Sequence, residues 1–484
     1  MPTPPTCTIW IDFEDIFVHL ETRTRPSGIQ RLAFEAAREM LAAAPGRVRF
    51  VRQVRGGSGF REVDFELARA AFARSTGASA VAPRVLRGIV PPSDMPMPPG
   101  PLRHVWRRLG GMLSGEVRHA VLQVLTHQWQ ALTALPGVGR AVMRSLRRRR
   151  AAIDTGDSYL PVRMQAGDVL LALAAPWGTG HAERAAAARA ERGVRYGVLF
   201  YDLIPLCRPE FCVPAHAERF REFVDAVLPV CDVPMAISHA TRRDLEAHAA
   251  HAGIALRAPV AVVRVGTSFT IAEAAETAAA PLLPAGSYVL FVSTIEARKN
   301  HTLLFRAWRR LLEEMPPEQV PTLVFAGGIG WMVDDLLQQF ANSRFLDGHM
   351  AIVESPSDAV LESLYRGAMF TVYPSHYEGW GLPVVESLAL GTPCVAARAT
   401  SLPEAGGTLA RYFAPDDVGA ACRVIRDLIE NPDDLAAWRA EVRAAFRPTA
   451  WRETAREILA AVDAVIVAPP PQAPCGVDAD GTAV

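Results

Sequence analysis

The sequence predicts an α/β protein with two doubly wound parallel sheets, one in each of two domains. Two observations carry this prediction. Short apolar, β-branched runs alternate with Ala-, Arg- and Glu-rich helical segments along most of the 484 residues, which is typical of parallel sheets flanked by helices. The alternation breaks at residues 278–287, AAAPLLPAGS, and then starts again, as expected of a linker between domains.

The first series of elements assigns residues 1–280 to an N-terminal domain. A helix is predicted from Ser27 and another from Thr241. Strands are predicted at residues 8–12 and from Arg47, Asp168, Arg195, Met235 and Pro259.

The second series assigns residues 286–448 to a C-terminal domain. Strand YVLFV is followed by a helix from about His301, and Leu304, Trp308, Leu311 and Leu312 share one face of it. The later strands TLVFAGG, MAIV, FTVYPS and PCVAA alternate with further helices. Ligands of such sheets bind beyond the carboxyl ends of the strands, so two such domains would face a shared central cleft.

The C-terminal end of the chain is predicted to contain one more helix and a tail. Residues 449–467, from Trp451 onwards, should form a helix that packs back on the N-terminal domain. Residues 468–484 are rich in Pro and Gly, and we expect them to be disordered.

The composition excludes several classes of protein. The 51 Lys and Arg residues balance 51 Asp and Glu residues, which argues against a dedicated nucleic-acid binder. No apolar run is long enough to span a bilayer, and the N-terminus lacks the order of a signal peptide, so a cytoplasmic location is expected. The seven cysteines are scattered and odd in number, which favours reduced thiols over disulfides.

An Arg-rich insertion interrupts the N-terminal domain at about residues 84–150. It holds twelve arginines against two acidic residues, Asp94 and Glu116. One interpretation is an amphipathic segment that lies on an anionic membrane surface. A second is a solvated insertion whose charge is balanced by acidic surface elsewhere, and a third is binding to RNA.

The strongest chemical signal is the segment SHYEGWGLPVVESLALGTPCVAA, residues 375–397. Glu378 follows a strand, so it should lie at the ligand edge of the sheet. Gly379 and Gly381 would let a ligand approach the backbone, and Glu386 should lie about one turn into the next helix. Two carboxylates beside a helix N-terminus can hold an anion and hydroxyl groups together, although both acids could instead serve only as N-terminal helix charges.

Two adjacent cations follow the first strand of the same domain. Asn300 is a candidate N-cap, which would place Arg298 and Lys299 at the mouth of a helix. Paired cations at a helix N-terminus suit a diphosphate. Lys299 is the only lysine in the chain, which favours a specific need for an ammonium group there.

Four C-terminal segments carry a resemblance to a known family: TIEARKN at 294–300, AGG at 326–328, residues 355–397 and SLPEAGG at 401–407. They resemble the retaining nucleotide-sugar glycosyltransferases of family 4, glycosyl transferases group 1, whose GT-B fold has two Rossmann-like domains. Glu378 and Glu386 match the two glutamates of the family signature, which seven residues separate.

The N-terminal half resembles bacterial members of this family that build surface polysaccharides. The matching segments are SGIQR from Ser27, FYDLIPLCRPE from Phe200 and SHATRRDL from Ser238. The sequence departs from the pattern at Tyr201, where many members have a histidine. Apart from the insertion, the resemblance covers nearly all of residues 1–466.

The resemblance implies a role for individual residues. Glu378, Arg298 and Lys299 would be catalytic, with the two cations on the donor diphosphate and Glu378 on the transferred sugar. Asp202 and Ser238 would line the acceptor side. The donor would be bound by Gly28, Arg298, Lys299, Gly327, Glu354, Ser355, Glu378, Gly379, Gly381, Leu382, Pro383 and Glu386.

The same residues suggest a mechanism that requires no metal cofactor. Breaking the anomeric bond releases a diphosphate, whose charge must be stabilised. The only Asp-x-Asp spacing, Asp478 with Asp480, lies in the tail, so Arg298 and Lys299 would replace a metal. The expected partners are a nucleotide sugar and a glycan or lipid-linked acceptor at the cytoplasmic membrane face, without nucleic acid.

Two other functions remain compatible with the sequence. A nucleotide-sugar epimerase of the same architecture would use a similar nucleotide site without an acceptor. A non-catalytic GT-B-like protein would act at a membrane surface through the insertion. The resemblance favours transfer of a mannose-like hexose with retention at the anomeric carbon.

Overall fold

A computed structural model describes residues 7–22, 27–54, 59–77, 84–87, 162, 164–178, 180–267 and 282–467. The insertion after residue 87, the linker before residue 282 and the C-terminal tail lie outside the described residues. The membrane interpretation and the expected disorder of the tail concern those segments.

Two sheets of seven strands each, mostly parallel, form the described part of the chain. This agrees with the predicted α/β class. The first sheet has the order β3-β2-β1-β5-β6-β7-β8, and only β2 and β3 pair antiparallel. Its strands are β1 Ile9–Asp12, β2 Val48–Gln53, β3 Phe60–Val63, β5 Val169–Ala172, β6 Arg195–Phe200, β7 Val233–Ala236 and β8 Ala261–Val262.

Helices connect the strands of the first sheet. They are α1 Glu14–Thr22, α2 Gly28–Ala43, α3 Phe65–Gly77, α4 His181–Arg192, α5 Ile204–Cys207, α6 Pro214–Val227 and α7 His239–His251. The α2 helix begins directly after Ser27, as predicted. The α7 helix begins two residues before the predicted Thr241 because the Ser238 side chain accepts a hydrogen bond from the Thr241 N–H and caps it.

The second sheet has the order β14-β13-β12-β9-β10-β11-β4. Its strands are β4 Arg84–Arg87, β9 Tyr288–Val292, β10 Thr322–Ala326, β11 Met350–Glu354, β12 Thr371–Tyr373, β13 Cys394–Ala397 and β14 Arg411–Phe413. The helices around it are α8 His301–Glu314, α9 Asp334–Asn342, α10 Asp358–Gly367, α11 Leu382–Ala389, α12 Leu402–Gly406, α13 Val418–Glu430 and α14 Pro432–Ala445, with a left-handed turn at Arg344–Asp347 between α9 and β11.

Strand β4 is a difference from the sequence prediction. Its residues were assigned to the start of the insertion in the N-terminal domain, but the strand pairs antiparallel with β11 at the edge of the second sheet. Val85 lies opposite Val353, and Leu86 lies opposite Ile352 and packs against the hydrophobic core. An edge strand covers backbone groups that β11 would otherwise expose, which explains the pairing.

The apolar faces of the predicted helices pack against the sheets. In the second domain, Leu304, Trp308 and Leu311 of α8 are fully buried, and the Trp308 indole donates a hydrogen bond of 2.8 Å to the Pro321 carbonyl. Strands covered by helices on both faces explain why the predicted strands read as continuous apolar runs.

The last described helix, α15 Trp451–Val467, lies against α2 of the first domain. Arg47 forms a 2.7 Å ion pair with Asp463, and Thr454 donates a hydrogen bond of 2.8 Å to the Arg264 carbonyl. The chain thus crosses from the second domain back to the first. Among the described residues, no helix combines the length and apolarity needed to cross a bilayer.

Candidate active site

The candidate site forms where two loops leave the carboxyl edge of the second sheet. Strand β9 leads into a single 3₁₀ turn at Ala297–Lys299, directly before α8. Strand β12 ends at Tyr373 and leads through Glu378 into α11. Because β9 and β12 are neighbours in the sheet, their loops meet at the edge where ligands of such sheets bind.

Arg298, Lys299 and Glu378 meet at one carboxylate oxygen. The Lys299 Nζ lies 2.6 Å from Glu378 Oε1, and Arg298 Nη1 lies 2.9 Å from the same atom. The Tyr373 hydroxyl accepts a hydrogen bond of 2.9 Å from Lys299 and donates one of 3.1 Å to Glu378. A second carboxylate, Glu296, accepts a hydrogen bond of 2.6 Å from Arg298. We refer to these five residues as the cation cluster.

The electrostatics of the cation cluster keep Glu378 ionised. Its burial acts to raise the carboxyl pKa, but the attraction of Arg298 and Lys299 outweighs burial and lowers the pKa from 4.5 to about 2. For Lys299, burial and the neighbouring Arg298 act to lower the pKa of the ammonium group, and they outweigh the opposite effect of Glu378. The pKa of Arg298 is raised because Glu378 and Glu296 outweigh its burial.

The backbone around Glu378 is fixed by two hydroxyl side chains after β13. The Glu378 N–H donates to Thr400 Oγ1 at 2.9 Å, and that hydroxyl donates back to the Glu378 carbonyl at 2.8 Å. The Ser401 hydroxyl lies 2.8 Å from the Glu378 carbonyl oxygen and 2.7 Å from that of Trp380. The carboxylate is therefore presented by a pre-organised loop.

Asn300 does not act as the side-chain N-cap that the sequence predicts. It precedes α8 with a φ of 61°, and its amide donates hydrogen bonds to the carbonyls of Pro374 at 3.1 Å and Pro415 at 2.8 Å. Asn tolerates this left-handed conformation better than most residues. The side chain ties the loop after β9 to the loop after β12 instead of capping the helix.

Gly379 and Gly381 face protein atoms, which differs from the ligand approach that the sequence suggests. A Cβ on Gly379 would lie 1.9 Å from the carbonyl oxygen of Tyr201, in the other domain. A Cβ on Gly381, whose φ is 129°, would lie 2.8 Å from Leu402 Cδ2. Gly379 thus allows the backbones of the two domains to touch beside the cation cluster.

The first helical turn of α11 meets the loop that precedes α2. Leu382 and Pro383 begin α11, and a Cβ on Gly28 would lie 3.2 Å from Leu382 Cδ1. Gly28 of the first domain and Leu382 of the second are therefore neighbours.

Glu386 belongs to a separate cluster. The Tyr365 hydroxyl donates a hydrogen bond of 2.9 Å to its Oε2, and burial raises its carboxyl pKa. Arg31 of the first domain acts to lower that pKa and forms a 2.8 Å ion pair with Asp358. Glu386 contacts Tyr365 whereas Glu378 contacts Arg298, Lys299 and Tyr373, so the two signature glutamates occupy different polar surroundings.

Gly327, Glu354 and Ser355 lie at the ends of β10 and β11. A Cβ on Gly327, with a φ of 156°, would lie 2.0 Å from the Ser293 carbonyl oxygen, so only glycine fits. Ser355 has a φ of 47°, and its N–H donates to the Gly327 carbonyl at 3.3 Å. Glu354, the last residue of β11, pairs in register with Arg84 of β4.

Asp202 and Ser238 have different positions on the acceptor side. Asp202 lies beside the Glu378 loop, since a Cβ on Gly379 would lie 2.9 Å from Asp202 Cβ. Burial raises the pKa of its carboxyl group, and Arg298 opposes that shift. Ser238 is fully buried, and its hydroxyl is engaged with Thr241. The side chain of Ser238 thus caps α7 and does not line the cleft in this arrangement.

Tyr201, the departure from the family pattern, is buried beneath the site. Its hydroxyl donates a hydrogen bond of 2.5 Å to the Leu173 carbonyl, and burial raises its pKa far above the usual range. The side chain therefore supports the loop before Asp202 and is not poised for acid–base chemistry.

Sequence reasoning missed Tyr373, Glu296 and Glu404. Tyr373 ends a strand whose carboxyl end was expected at the site, which is the signal that could have identified it. Glu296 lies two positions before Arg298 and three positions before Lys299. Glu404 lies in the quoted SLPEAGG segment, and it contacts the other domain by accepting hydrogen bonds from the N–H groups of His239 at 2.7 Å and Ala240 at 2.8 Å.

The next features are the possible metal ligands and the cysteines among the described residues. Within them, no group of three or more His, Cys, Asp or Glu side chains is arranged to hold a metal ion. The described cysteines are free thiols, and they are Cys7, Cys207, Cys212, Cys231, Cys394 and Cys422.

Comparison with known families identifies the domain that carries the cation cluster. Residues 279–445 match the family described as glycosyl transferases group 1. This chain has a glycosyl transferases group 1 domain. The domain contains Arg298, Lys299, Glu378 and Glu386, so the family resemblance inferred from the sequence is confirmed.

Similar proteins include several bacterial sugar transferases. O-antigen chain mannosyltransferase B of Escherichia coli is 33% identical over 168 residues, which cover 35% of this chain and 39% of that protein. D-inositol 3-phosphate glycosyltransferase of Nocardiopsis dassonvillei is 35% identical over 191 residues, covering 37% of this chain and 43% of that protein. The matches thus span less than half the length of these curated relatives.

Solved structures show the same overall fold. Anabaena HepE, in a complex with UDP and glucose, is 14% identical with a TM-score of 0.55, and the match covers 95% of this chain and 100% of that chain. Its complex with UDP-glucose gives a TM-score of 0.54 at 15% identity, covering 94% of this chain and 99% of that chain. The chain therefore has the two-domain α/β GT-B fold.

Proposed function

We propose that this protein is a retaining, metal-independent hexosyltransferase. It transfers a mannose-like sugar from a nucleotide-diphosphate sugar to a glycan or lipid-linked acceptor in surface polysaccharide synthesis. The observation that carries the proposal is the meeting of Arg298, Lys299 and Glu378 at the ligand edge of a glycosyl transferases group 1 domain. The relatives that are mannosyltransferases support the choice of sugar.

In this proposal Arg298 and Lys299 receive the diphosphate of the donor. Their side chains are mostly buried and converge on Glu378, so they form a fixed cationic surface and need no reorganisation during the reaction. As the anomeric bond breaks, charge grows on the leaving diphosphate, and two pre-positioned cations stabilise it. The guanidinium and the ammonium would supply the stabilisation that a divalent metal supplies in other transferases.

Glu378 would act on the transferred sugar. With a pKa of about 2, it is ionised at neutral pH and accepts hydrogen bonds from sugar hydroxyls without competing for a proton. Its negative charge also favours the oxocarbenium-like sugar that forms as the diphosphate departs. Glu386, beside Tyr365 and near Arg31, would bind the ribose hydroxyls of the nucleotide.

The acceptor would approach from the side of Asp202. Asp202 belongs to the first domain, and its carboxyl group is close enough to Arg298 for that cation to oppose the rise of its pKa by burial. Attack on the same face from which the diphosphate leaves, with the acceptor proton passing to the leaving phosphate, would give retention at the anomeric carbon.

A thermal-shift screen of nucleotide sugars tests the proposal. A ligand that binds only the folded protein stabilises it by RT ln(1 + [L]/Kd), about 2.7 kcal/mol at one hundred times Kd. We expect stabilisation by at least one nucleotide-diphosphate sugar and by its nucleoside diphosphate, and a loss of both in Lys299→Ala. A protein that no nucleotide or nucleotide sugar stabilises would not be this enzyme.

We further propose that the Arg-rich insertion holds the enzyme on the cytoplasmic face of an anionic membrane. The support is the charge of the sequence, twelve arginines against two acids over residues 84–150. Because β4 belongs to the second sheet, the test deletes residues 90–150 and leaves that strand intact. Flotation with anionic vesicles should be lost in the deletion, and unchanged flotation would rule out this role.

A further inference from the structure

A large cavity opens beside Asp202, at the carboxyl ends of β5 and β6. It has a volume of about 480 Å³, within the range of roughly 300–1,000 Å³ found for sites that hold small molecules. Most of its wall comes from the first domain, including α5 and α6, and the second domain contributes Glu296, Arg298 and Trp331.

The interior of this cavity is apolar. Phe220 and Phe223 of α6 line it and are almost fully buried. The Trp177 ring packs edge-on to both, with ring centroids 5.3 Å and 6.2 Å away. A sugar hydroxyl placed against this wall would lose its hydrogen bonds with water and find none, which costs roughly 1–3 kcal/mol for each group. The wall therefore suits a hydrocarbon better than a saccharide.

One end of the cavity is charged, because Asp202, Glu296 and Arg298 also line it. Glu296 and Arg298 belong to the cation cluster. A molecule that fills the cavity thus has its polar end next to the group that would hold the donor, and its apolar part along α6.

The mouth of the cavity carries exposed apolar side chains. Val213 is 55% exposed and Trp331 is 49% exposed, and both line the cavity. Ile329 and Met332, near Trp331 in the chain, are also exposed. The Trp331 indole donates a hydrogen bond of 3.1 Å to the Phe211 carbonyl, so it joins the two domains at this rim. An apolar rim continues the apolar path from the interior to the surface.

From this arrangement we infer that the cavity binds the aliphatic chain of an amphipathic acceptor, whose accepting hydroxyl lies at Asp202 and Arg298. The acceptor is then a sugar or short glycan attached directly to a hydrocarbon chain, as in a lipid-linked glycan, and not a free polysaccharide end. This inference rests on the proposed function and narrows its acceptor to one chemical class.

Alkyl glycosides of increasing chain length test the inference. Isothermal titration of the full chain would compare methyl, butyl and octyl α-mannopyranosides, all below their micelle-forming concentrations. Burial of each methylene should tighten binding by about two- to fourfold, so octyl α-mannoside should bind at least tenfold more tightly than the methyl compound. Equal dissociation constants for methyl and octyl α-mannosides would overturn the inference.

Two substitutions locate the bound chain. Val213→Asp charges the exposed rim, and Cys212→Trp fills part of the cavity. Each should reduce the preference for octyl over methyl α-mannoside at least fivefold. The matched control is Leu67→Asp, which charges a similarly exposed leucine that does not line the cavity. An unchanged preference in both cavity variants would mean that the chain binds elsewhere, and it would refute the inference.

Nucleotide-sugar binding, measured on the same preparations, separates this inference from the proposed function. If the protein binds a nucleotide sugar but shows no effect of alkyl chain length, only the inference of an apolar acceptor is contradicted, and the proposed function stands. If alkyl chain length affects binding but no nucleotide sugar binds, the proposed function is contradicted. The cavity could then not be assigned to an acceptor.

Discussion

At the scale of single residues, the proposed mechanism depends on the contacts of Lys299. It contacts Glu378 and Tyr373 within 3 Å, and it is the only lysine of the chain. An ammonium is a compact point charge that fits between a carboxylate, a hydroxyl and a phosphate, whereas the planar guanidinium needs a wider space. Under the proposed function, this accounts for a lysine in a chain that otherwise uses arginine.

Substitution of Lys299 by alanine should lower kcat at least a hundredfold. Removal of one pre-positioned stabilising group costs about 2.7–4 kcal/mol in the transition state. Steady-state kinetics of the purified variant would measure the loss, with Arg309→Ala, an exposed cation on α8, as the matched control. Near-normal turnover by a folded Lys299→Ala variant would contradict the diphosphate assignment.

Glu378 should give the protein a pH-dependent part of its stability. Its pKa falls from 4.5 to about 2 on folding, so the stabilisation is fully present above about pH 4.5 and disappears as the pH falls towards 2. Breaking a buried ion pair typically costs about 3–5 kcal/mol. Urea unfolding should therefore show Glu378→Gln less stable than the wild type at pH 7, with the difference shrinking below pH 4.5.

The control for this experiment is Glu430→Gln, which changes an exposed carboxylate at the end of α13. Its unfolding free energy should follow the wild type at every pH. If the difference in unfolding free energy between Glu378→Gln and the wild type stays constant from pH 7 to pH 3, the two cations do not stabilise the Glu378 carboxylate.

The sequence identified three members of the cation cluster because each lies in a loop that follows a predicted strand. It did not identify Tyr373 and Glu296, since a tyrosine that ends a strand and an acid before a turn have ordinary structural uses. Glu296 contacts Arg298, two positions away, whereas the role of Tyr373 depends on the distance between two loops that are about 80 positions apart in the chain. Such distances follow from the order of strands in the sheet, which local patterns do not encode.

At the scale of elements, helix α7 receives its negative N-terminal charge from the other domain. Glu404 of α12 accepts hydrogen bonds from the N–H groups of His239 and Ala240, next to the Ser238 side-chain cap. A carboxylate is favourable beside the unpaired N–H groups at the positive end of a helix. The contact couples the start of α7 to α12, the helix that follows β13.

Replacement of Glu404 by alanine should loosen the start of α7. The lost cap corresponds to about 1 kcal/mol. Hydrogen exchange should show reduced protection of the His239 and Ala240 amides, whereas amides in the middle of α7 keep theirs. Unchanged protection of both amides would mean that Glu404 does not hold α7 in solution.

The periodicity of the sequence predicted most elements because apolar faces must repeat with the period of a helix or strand. Strand β4 escaped prediction because its four residues precede a long Arg- and Pro-rich stretch, and its partner β11 lies more than 260 positions away. The side-chain cap at Asn300 was predicted wrongly because the amide finds two backbone carbonyls in neighbouring loops. In each case a contact between distant segments decided the local structure.

At the scale of the whole molecule, contacts between described residues hold the two domains together around the cation cluster. Tyr377 donates a hydrogen bond of 2.7 Å to Asp244, and Arg31 pairs with Asp358. Between these contacts, Gly379 lies directly against the Tyr201 carbonyl. This close approach of the two domains therefore depends on the absence of a side chain at position 379.

Substitution of Gly379 by alanine should prevent this close contact. The added Cβ would lie 1.9 Å from the Tyr201 carbonyl oxygen, so the domains must separate or the Glu378 loop must shift. We expect kcat/KM to fall at least tenfold, because small displacements of catalytic groups are costly. Gly46→Ala is the control, since a Cβ there has no neighbour within 4 Å. Unimpaired catalysis by Gly379→Ala would show that the enzyme does not require this contact.

The most direct test of the central claim is a transfer reaction followed by NMR. The purified full chain would be incubated in EDTA with each nucleotide sugar that stabilises it, together with octyl α-mannoside as acceptor. We predict release of a nucleoside diphosphate and formation of a glycoside with the anomeric configuration of the donor, abolished in Lys299→Ala. A product of inverted configuration, dependence on added metal, or a change in donor stereochemistry without an acceptor would contradict the account.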